Sequence, residues 1–249
     1  MRRFLGAVLV AVLLAGPSAR ADEPDPKAVI DKAIKALGGE EKLSKSRMTA
    51  SKTKGTISFA GNDNEFTGHA TVSGLDHSRQ GFESEIMGNK ISGVTVLAGD
   101  KGWRKFGDMV MELDKDALAN EKRNLYMQVV PGSVLPLKEK GFKVKAGDEE
   151  KVGGKAAVGL VVTGPDGKDF TLYFDKESGL PVKLVAKVVG FDGTEATQET
   201  TYAEYKEFGG IKKATRVETK RGGQPFLKAQ LTEFKVLDKV DPKTFTEPK

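Results

Sequence analysis

The chain contains no cysteine, one tryptophan and two histidines among its 249 residues. The absence of cysteine excludes disulfides, a thiol nucleophile and an anchor through a lipid-modified cysteine. A typical zinc site takes three or four ligands, more than two histidines supply alone. The sequence also has no Gly-x-Ser-x-Gly elbow and no glycine-rich phosphate loop. The common signatures of catalysis are therefore missing, although carboxylates distant in sequence could still converge.

An apolar run lies at the N-terminus. Two arginines precede the apolar residues 4–15, and Ala19, Arg20 and Ala21 then give the small-x-small form of a signal-peptidase site. A membrane-spanning helix needs about 20 apolar residues, and this run is shorter. We therefore expect residues 1–21 to be a signal peptide. Cleavage after Ala21, by the general secretory or the twin-arginine route, would release a soluble periplasmic protein without a lipid anchor.

The remaining chain is nearly neutral. The formal net charge of +5 falls to +2 without residues 1–21, which carry three arginines and no acidic residue. Acidic and basic residues are interleaved, whereas a nucleic-acid-binding protein needs a basic face. Nucleic acid is therefore not an expected partner. Residues 22–249 are enough to form one hydrophobic core without disulfide bonds. We expect them to form a single, monomeric domain.

The periodicity predicts two helices. The first covers 25–38, because Asp25 and Pro26 suit a helix start and Gly38 ends it. Its apolar stripe consists of Ile30, Ala33, Ile34 and Leu37. The second covers 114–129 and is ended by Pro131. Its thinner stripe consists of Leu118, Leu125 and Val129.

The rest of the chain alternates short Val-, Thr-, Phe- and Ile-rich runs with Gly, Asn and Asp clusters, which is typical of antiparallel strands joined by tight turns. The predicted strands are 52–60, 65–73, 77–86, 91–98, 103–106, 109–113, 142–147, 156–163, 169–174, 180–189, 197–206, 212–219 and 226–236. Such regular spacing indicates a meander that curls toward a barrel or sandwich.

Alternation places apolar side chains on one face of several strands. A sheet of this length with one apolar face must pack against something or curl around it, and only two helices are available. We therefore expect a mostly β (α+β) fold with a large curved antiparallel sheet and an apolar concave face. The mid-chain helix would plug an open end of the curved sheet or cover one of its edges. The concave face is either an open ligand cavity or a filled core.

Four stretches match a known family pattern. They read GDKGW at 99–103, LYFDKESGLPV at 172–182, YKEFGGIK at 205–212, and LTEFKV at 231–236 followed by DPKTF. In this order they resemble the outer-membrane lipoprotein-sorting (LolA-like and LolB-like) superfamily, as a divergent member. The resemblance covers nearly all of 22–249. It implies an open half-barrel whose helices lid an apolar cavity, and it implies binding of lipids or lipoproteins.

The predicted ligand contacts are apolar side chains of the strands and of the second helix: Trp103, Met109, Met111, Leu113, Leu118, Leu125, Phe170, Leu172 and Phe174. Ordinary core packing explains Trp103 and the methionines as well. No catalytic residue, metal ligand or cofactor is assigned. His69 and His77, with a glutamate as third ligand, are the one conceivable metal set, and solvated strand histidines explain them better.

The function predicted from these features is that of an exported binder, carrier or sensor of lipids, lipoproteins or other apolar molecules, and not an enzyme. The expected partner is an apolar ligand, with a membrane or envelope protein as a further candidate. Two alternatives stay open. One is a protein-interaction module, accessory to an exported enzyme, that uses the same groove or a sheet edge. The other is an exported hydrolase, which would need a polar cleft with converging carboxylates.

Overall fold

The computed structural model describes residues 24–59, 61–86, 88–190 and 193–249. The predicted signal peptide and its cleavage site lie outside this part of the chain. The helices of the described part are α1 (Pro26–Leu37), α2 (Glu40–Lys45) and α3 (Lys115–Ser133), with 3₁₀ turns at Leu135–Lys138 and Pro242–Phe245. The strands are β1 (Met48–Phe59), β2 (Asn62–Ser73), β3 (His77–Ile86), β4 (Asn89–Ala98), β5 (Lys101–Phe106), β6 (Met109–Glu112), β7 (Lys143–Val152), β8 (Lys155–Thr163), β9 (Asp169–Asp175), β10 (Pro181–Val189), β11 (Glu195–Phe208), β12 (Ile211–Arg221) and β13 (Gln224–Val236).

All thirteen described strands join in one antiparallel sheet, in the order β6-β5-β4-β3-β2-β1-β13-β12-β11-β10-β9-β8-β7. The sheet thus consists of two meanders that meet where β1 pairs with β13. Strands β6 and β7 form its two open edges. Helix α3 connects these edges, and its 19 residues span about 28 Å at 1.5 Å per residue. The connection therefore carries α3 from one side of the sheet to the other.

The predicted fold class is confirmed: the protein is mostly β, with an open antiparallel half-barrel and helices over one face. Each of the thirteen predicted segments overlaps one observed strand. Helix α3 continues four residues beyond the prediction, through Pro131, to Ser133. A proline in the last turn removes few intrahelical hydrogen bonds, and Val134 ends the helix with a left-handed φ of 64°. Helix α2, with Leu43 as its buried residue, is too short to show a period.

Irregular positions bend the long strands. The register between β1 and β13 shifts at Lys52/Thr53, and that between β7 and β8 shifts between Ala146 and Glu149. In β11, Glu204 has a φ of 55°, outside the range of a regular strand. Bulges, as at the two register shifts, bend the bulged strand and increase the local twist. They help the sheet to curve around the helices.

The core lies between the helices and one half of the concave face. Side chains of α1 and α3 pack against β8, β9 and β10, and they shield that half from water. The buried cluster includes Ile30, Ala33, Ile34, Leu37, Tyr126, Met127 and Val130 of the helices and Val158, Leu160, Val162, Phe170, Leu172, Phe174, Leu184, Ala186 and Val188 of the strands. None of the helices in the described ranges is long and apolar enough to cross a bilayer.

Candidate functional site

The other half of the concave face is not filled by the helices. It forms a cavity of about 1380 Å³ over strands β1 to β5 and β10 to β13. The C-terminal half of α3, the 3₁₀ turn at Leu135–Lys138 and helix α2 form the facing wall. Ligand pockets typically measure about 300–1,000 Å³. The cavity is therefore large enough for a long chain molecule.

Two aromatic rings line one side of the cavity at a position where a glycine leaves room for them. Phe82 pairs with Gly68 on one neighbouring strand and with Gly93 on the other. A Cβ atom at Gly93 would lie 2.5 Å from Phe82 Cε1 and 2.9 Å from Phe106 Cε1. The rings of Phe82 and Phe106 meet edge to face, with centroids 6.3 Å apart. Gly93 thus makes room for an aromatic floor, and Phe82 remains 36% exposed within it.

The opposite wall of the cavity is also largely apolar. It is formed by β11, β12 and β13, and the alternation of inward-facing residues on β13 is interrupted at Phe226, where the register with β12 shifts. Phe234 meets the ring of Phe208 at 5.8 Å, and Tyr205 anchors its wall by donating a hydrogen bond to the Pro181 carbonyl at 2.7 Å. The inward-facing apolar and aromatic residues of this wall are Tyr202, Tyr205, Val217, Phe226, Leu227, Leu231 and Phe234.

Charged side chains at the cavity are mostly neutralised in pairs. Arg104 of β5 reaches Glu121 of α3 at 2.5 Å, which ties the helix to the sheet. Lys138 lies 3.3 Å from Asp31 and 3.2 Å from Glu40, which ties the 3₁₀ turn to α1 and α2. These pairs hold the helices in place at the rim of the cavity.

Two cations of the lining, Lys213 and Arg221, have no carboxylate partner within the described part of the chain. Lys213 donates a hydrogen bond from Nζ to the Gly132 carbonyl at 2.7 Å and lies 4.8 Å from the Phe234 ring centre. Burial lowers the pKa of Lys213 to about 8. Arg221 lies 3.7 Å from the Phe226 ring centre, and burial lowers its pKa too. The cavity is therefore apolar with a surplus of positive charge.

Helix α3 is held over the sheet by a buried polar network around Arg123. Its guanidinium donates to Asp166 at 3.0 Å, to the Tyr126 hydroxyl at 2.6 Å and to the Asp169 carbonyl at 3.0 Å. Tyr126 in turn donates to Asp166 at 2.7 Å. Partial burial would raise the pKa of Asp166, but the hydrogen bonds from Tyr126 and the Lys168 amide, with Arg123 beside it, hold that pKa below its ordinary value. The network fixes the lid to the β8–β9 turn.

The sequence-predicted contacts lie in several places. Phe170, Leu172 and Phe174 are on the concave face, but in the half that the helices cover, where each is at most 2% exposed. Leu125 is fully buried in α3. Leu113 and Leu118 pack at Gly102, since a Cβ there would lie 2.8 and 3.1 Å from their Cδ1 atoms.

The other three predicted contacts lie on or near the edge of the sheet. Trp103 pairs with Val96, and alternation turns it away from the cavity-lining neighbours Arg104 and Phe106. Met109 and Met111 pair with Phe106 and Arg104 and share their face, at the exposed rim. The cavity lining thus consists of residues other than the nine, whose role as ligand contacts stays a prediction.

The sequence contained a signal for the aromatic floor. Glycines inside strand-forming runs, such as Gly68 and Gly93, indicate that another group approaches the backbone closely. That Phe82 lies above Gly93, and Thr53 beside Gly68, becomes recognisable only when the strand register and side-chain positions are known.

The histidines lie apart on the β2–β3 hairpin. His77 contacts Asp76 at 2.9 Å and the Phe245 ring at 5.5 Å. His69 pairs with Gly81, and its ring covers that glycine. Within the described ranges, no three His, Asp or Glu side chains are grouped so that they could hold a metal ion.

Comparison with known proteins identifies the fold. No family model matches the chain, and no curated protein matches it either. Among solved structures, a LolA superfamily protein from Nitrosomonas europaea matches with a TM-score of 0.57 and 11% identity, covering 89% of this chain and 97% of that one. A DUF1329 family protein from Desulfovibrio piger matches with a TM-score of 0.55 and 14% identity over 88% and 96% of the two chains. An outer membrane lipoprotein-sorting protein domain from Vibrio parahaemolyticus matches with a TM-score of 0.52 and 9% identity over 87% and 97%.

These similarities place the protein in a structural class, the open half-barrels with helical lids. More particularly, the fold is a divergent LolA-like fold, as the sequence motifs indicated. Identities of 9–14% establish the fold alone.

Proposed function

We propose that this protein binds and carries lipids, lipoprotein acyl chains or other apolar molecules, and that it is not an enzyme. The observation that carries the proposal is the cavity of about 1380 Å³, floored by aromatic rings and closed on one side by α3. The LolA-like fold supports the same function. We further propose that the protein is exported, cleaved after Ala21, and works in the periplasm as a soluble, monomeric single domain.

Burial of an acyl chain would supply the binding energy. Each buried CH₂ group contributes about 0.8 kcal/mol, so a dozen of them contribute roughly 10 kcal/mol. Association costs at least about 4 kcal/mol in lost freedom of motion, and the remainder corresponds to a useful affinity. No specific polar contact is needed for such binding.

The first test is native mass spectrometry, with solvent extraction, of the protein purified from its own periplasm without detergent. We expect a lipid or lipopeptide to accompany the protein at near one-to-one. An apo mass, together with no uptake of added phospholipid or fluorescent fatty acid, would contradict the carrier function.

A pair of variants tests the cavity itself. Phe82→Asp places a charge in the aromatic floor, and we expect it to weaken binding of a fluorescent fatty acid at least tenfold. The control is Val189→Asp in β10, since Val189 is also 36% exposed but does not line the cavity. Equal affinities in the two variants would show that the ligand binds elsewhere.

A second candidate function is protein interaction at the β6 edge. Met109 and Met111 are 63% and 44% exposed on this open strand. An exposed edge can accept a strand from a partner, for example a membrane or envelope protein. This function becomes the preferred one if the purified protein takes up no apolar ligand.

A further inference from the structure

The charges that line the cavity do not balance. Its basic lining residues are Arg47, Arg104, Lys138, Lys213 and Arg221, apart from His69, and its acidic ones are Glu40, Asp76, Glu121 and Glu139. Three of these carboxylates, Glu40, Glu121 and Glu139, lie within 3.2 Å of a lysine or arginine: Lys138, Arg104 and Arg47, respectively. The fourth, Asp76, is an exposed side chain that contacts His77 at 2.9 Å. The surplus positive charge therefore resides on Lys213 and Arg221.

Lys213 is the less satisfied of the two. An ammonium group has three N–H donors, and the structure uses one of them, toward the Gly132 carbonyl at 2.7 Å. That hydrogen bond satisfies a backbone carbonyl in the last turn of α3, where the helix has no basic residue of its own. Lys213 is half-buried, and a cation partly withdrawn from water without an anionic partner is destabilised, as the lowered pKa of Lys213 reflects.

Arg221 is in a different environment, at the other end of β12. Its guanidinium is covered by the Phe226 ring at 3.7 Å, and its Nε donates to Gln198 at 2.8 Å. Eight residues of strand separate it from Lys213, about 26 Å at 3.3 Å per residue. The two cations therefore cannot share one small anion. Between them the lining of the same strand pair is mostly apolar, with Val217, Leu227 and Leu231 beside Thr219.

We infer that the ligand of this cavity is an amphiphile with an anionic head group, a carboxylate or a phosphate, and that Lys213 holds that head group. The apolar chain would then extend over Val217 and Leu231. The inference rests on the proposed function and adds to it the charge of the ligand. A bound anion would occupy the two unused donors of Lys213 and remove the unmatched charge.

The test compares laurate, dodecyl phosphate and dodecanol, which share one chain length, by displacement of a fluorescent fatty-acid ester from the protein comprising residues 22–249. We expect the two anions to bind at least tenfold more tightly than the alcohol. Lys213→Met should remove this preference, so that the two anions bind no more tightly than the alcohol, whereas Lys213→Arg should keep the preference. The control Lys228→Met removes an exposed lysine from the opposite face of the sheet and should change none of the affinities.

Several outcomes would overturn the inference. Equal affinity of the unmodified protein for laurate and dodecanol is one, and it requires no variant. Retention of the preference in Lys213→Met with its loss in Arg221→Met would move the head group to the other end of β12. Displacement by inorganic phosphate or acetate alone would indicate a site for small anions. If neither the anions nor dodecanol binds, the proposed function fails as well.

Discussion

Lys213 has a charge that no carboxylate in the described part of the chain neutralises. Its ammonium meets a carbonyl and the face of an aromatic ring, two weak substitutes for an anion. Binding sites commonly retain such unfavourable groups at some expense of stability. The same residue thus links the free energy of folding with the proposed recognition of the ligand.

Because the Lys213 ammonium is partly desolvated without an anionic partner, we expect Lys213→Met to stabilise the ligand-free protein at pH 7. The gain should be about 1 kcal/mol after the lost hydrogen bond to Gly132 is subtracted. Burial lowers the pKa of Lys213 from 10.5 to about 8. Between these pH values the unfolded chain binds a proton that the folded protein does not, so the stability of the unmodified protein rises with pH. The advantage of the variant should therefore shrink between pH 7 and pH 10.

Urea unfolding of both proteins across this pH range measures the difference. A variant that is less stable at pH 7 would show that capping of α3 outweighs the desolvation of the ammonium.

Helix α3 is the element on which the site depends, because it covers the core with one part and faces the cavity with another. Its N-terminal end is capped by Asp114, which accepts a hydrogen bond from the Ala117 amide at 2.8 Å. Arg123 anchors its middle, and the pair of Arg104 with Glu121 ties it to β5. The lid is therefore fixed by buried polar contacts as well as by apolar packing.

Removal of the anchor should be strongly destabilising. Arg123→Met leaves the Asp166 carboxylate without its cationic partner and the Asp169 carbonyl without the guanidinium donor, and we expect it to lower the free energy of unfolding by about 3–5 kcal/mol. The control is Lys122→Met on the same helix, which breaks a solvent-exposed pair with Asp100 and should cost less than about 1 kcal/mol. Urea denaturation measures both, and similar losses in the two variants would argue against the anchor.

Acid should remove part of the same stabilisation. The pKa of Asp166 lies below its ordinary 3.8 in the folded protein, so its contribution is complete above about pH 4 and is lost as the pH falls through the lower, folded value. Since Arg123→Met weakens the contacts that lower this pKa, its stability should fall less steeply with acid than that of the unmodified protein.

At the scale of the whole molecule, the sheet has two unequal halves. Strands β8, β9 and β10 pack against α1 and α3 in a closed core, while β1 to β5 face open space across the cavity. Opening of local structure requires less free energy where few apolar contacts are buried. The two halves should therefore differ in their dynamics.

Hydrogen exchange followed by mass spectrometry checks this expectation. In the ligand-free protein, we expect amides of β8 and β9 to exchange more slowly than those of β2 and β3. Laurate should slow exchange in β2, β3, β12 and β13, because it buries their apolar side chains, and should leave β8 and β9 unchanged. Slowing confined to the β8–β10 half would place the ligand in the core instead of the cavity.

The sequence by itself determined the secondary structure and the fold class. Glycine clusters marked the turns, because those positions need positive φ, and alternation marked strands with one apolar face. These properties are local, so they can be read without a structure. The family motifs added the half-barrel, which the structure confirms.

Only the tertiary structure decided which part of the apolar face is core and which is cavity. Phe170, Leu172 and Phe174 look like Phe66 and Phe82 in sequence, since both sets alternate with polar residues. The first set lies under the helices and the second does not. Likewise, nothing local indicates that Arg123 is buried and neutralised while Lys213 lines the cavity without a counter-ion. Burial and pairing depend on contacts between residues far apart in the chain, and these exist only when α3 has closed over the folded sheet.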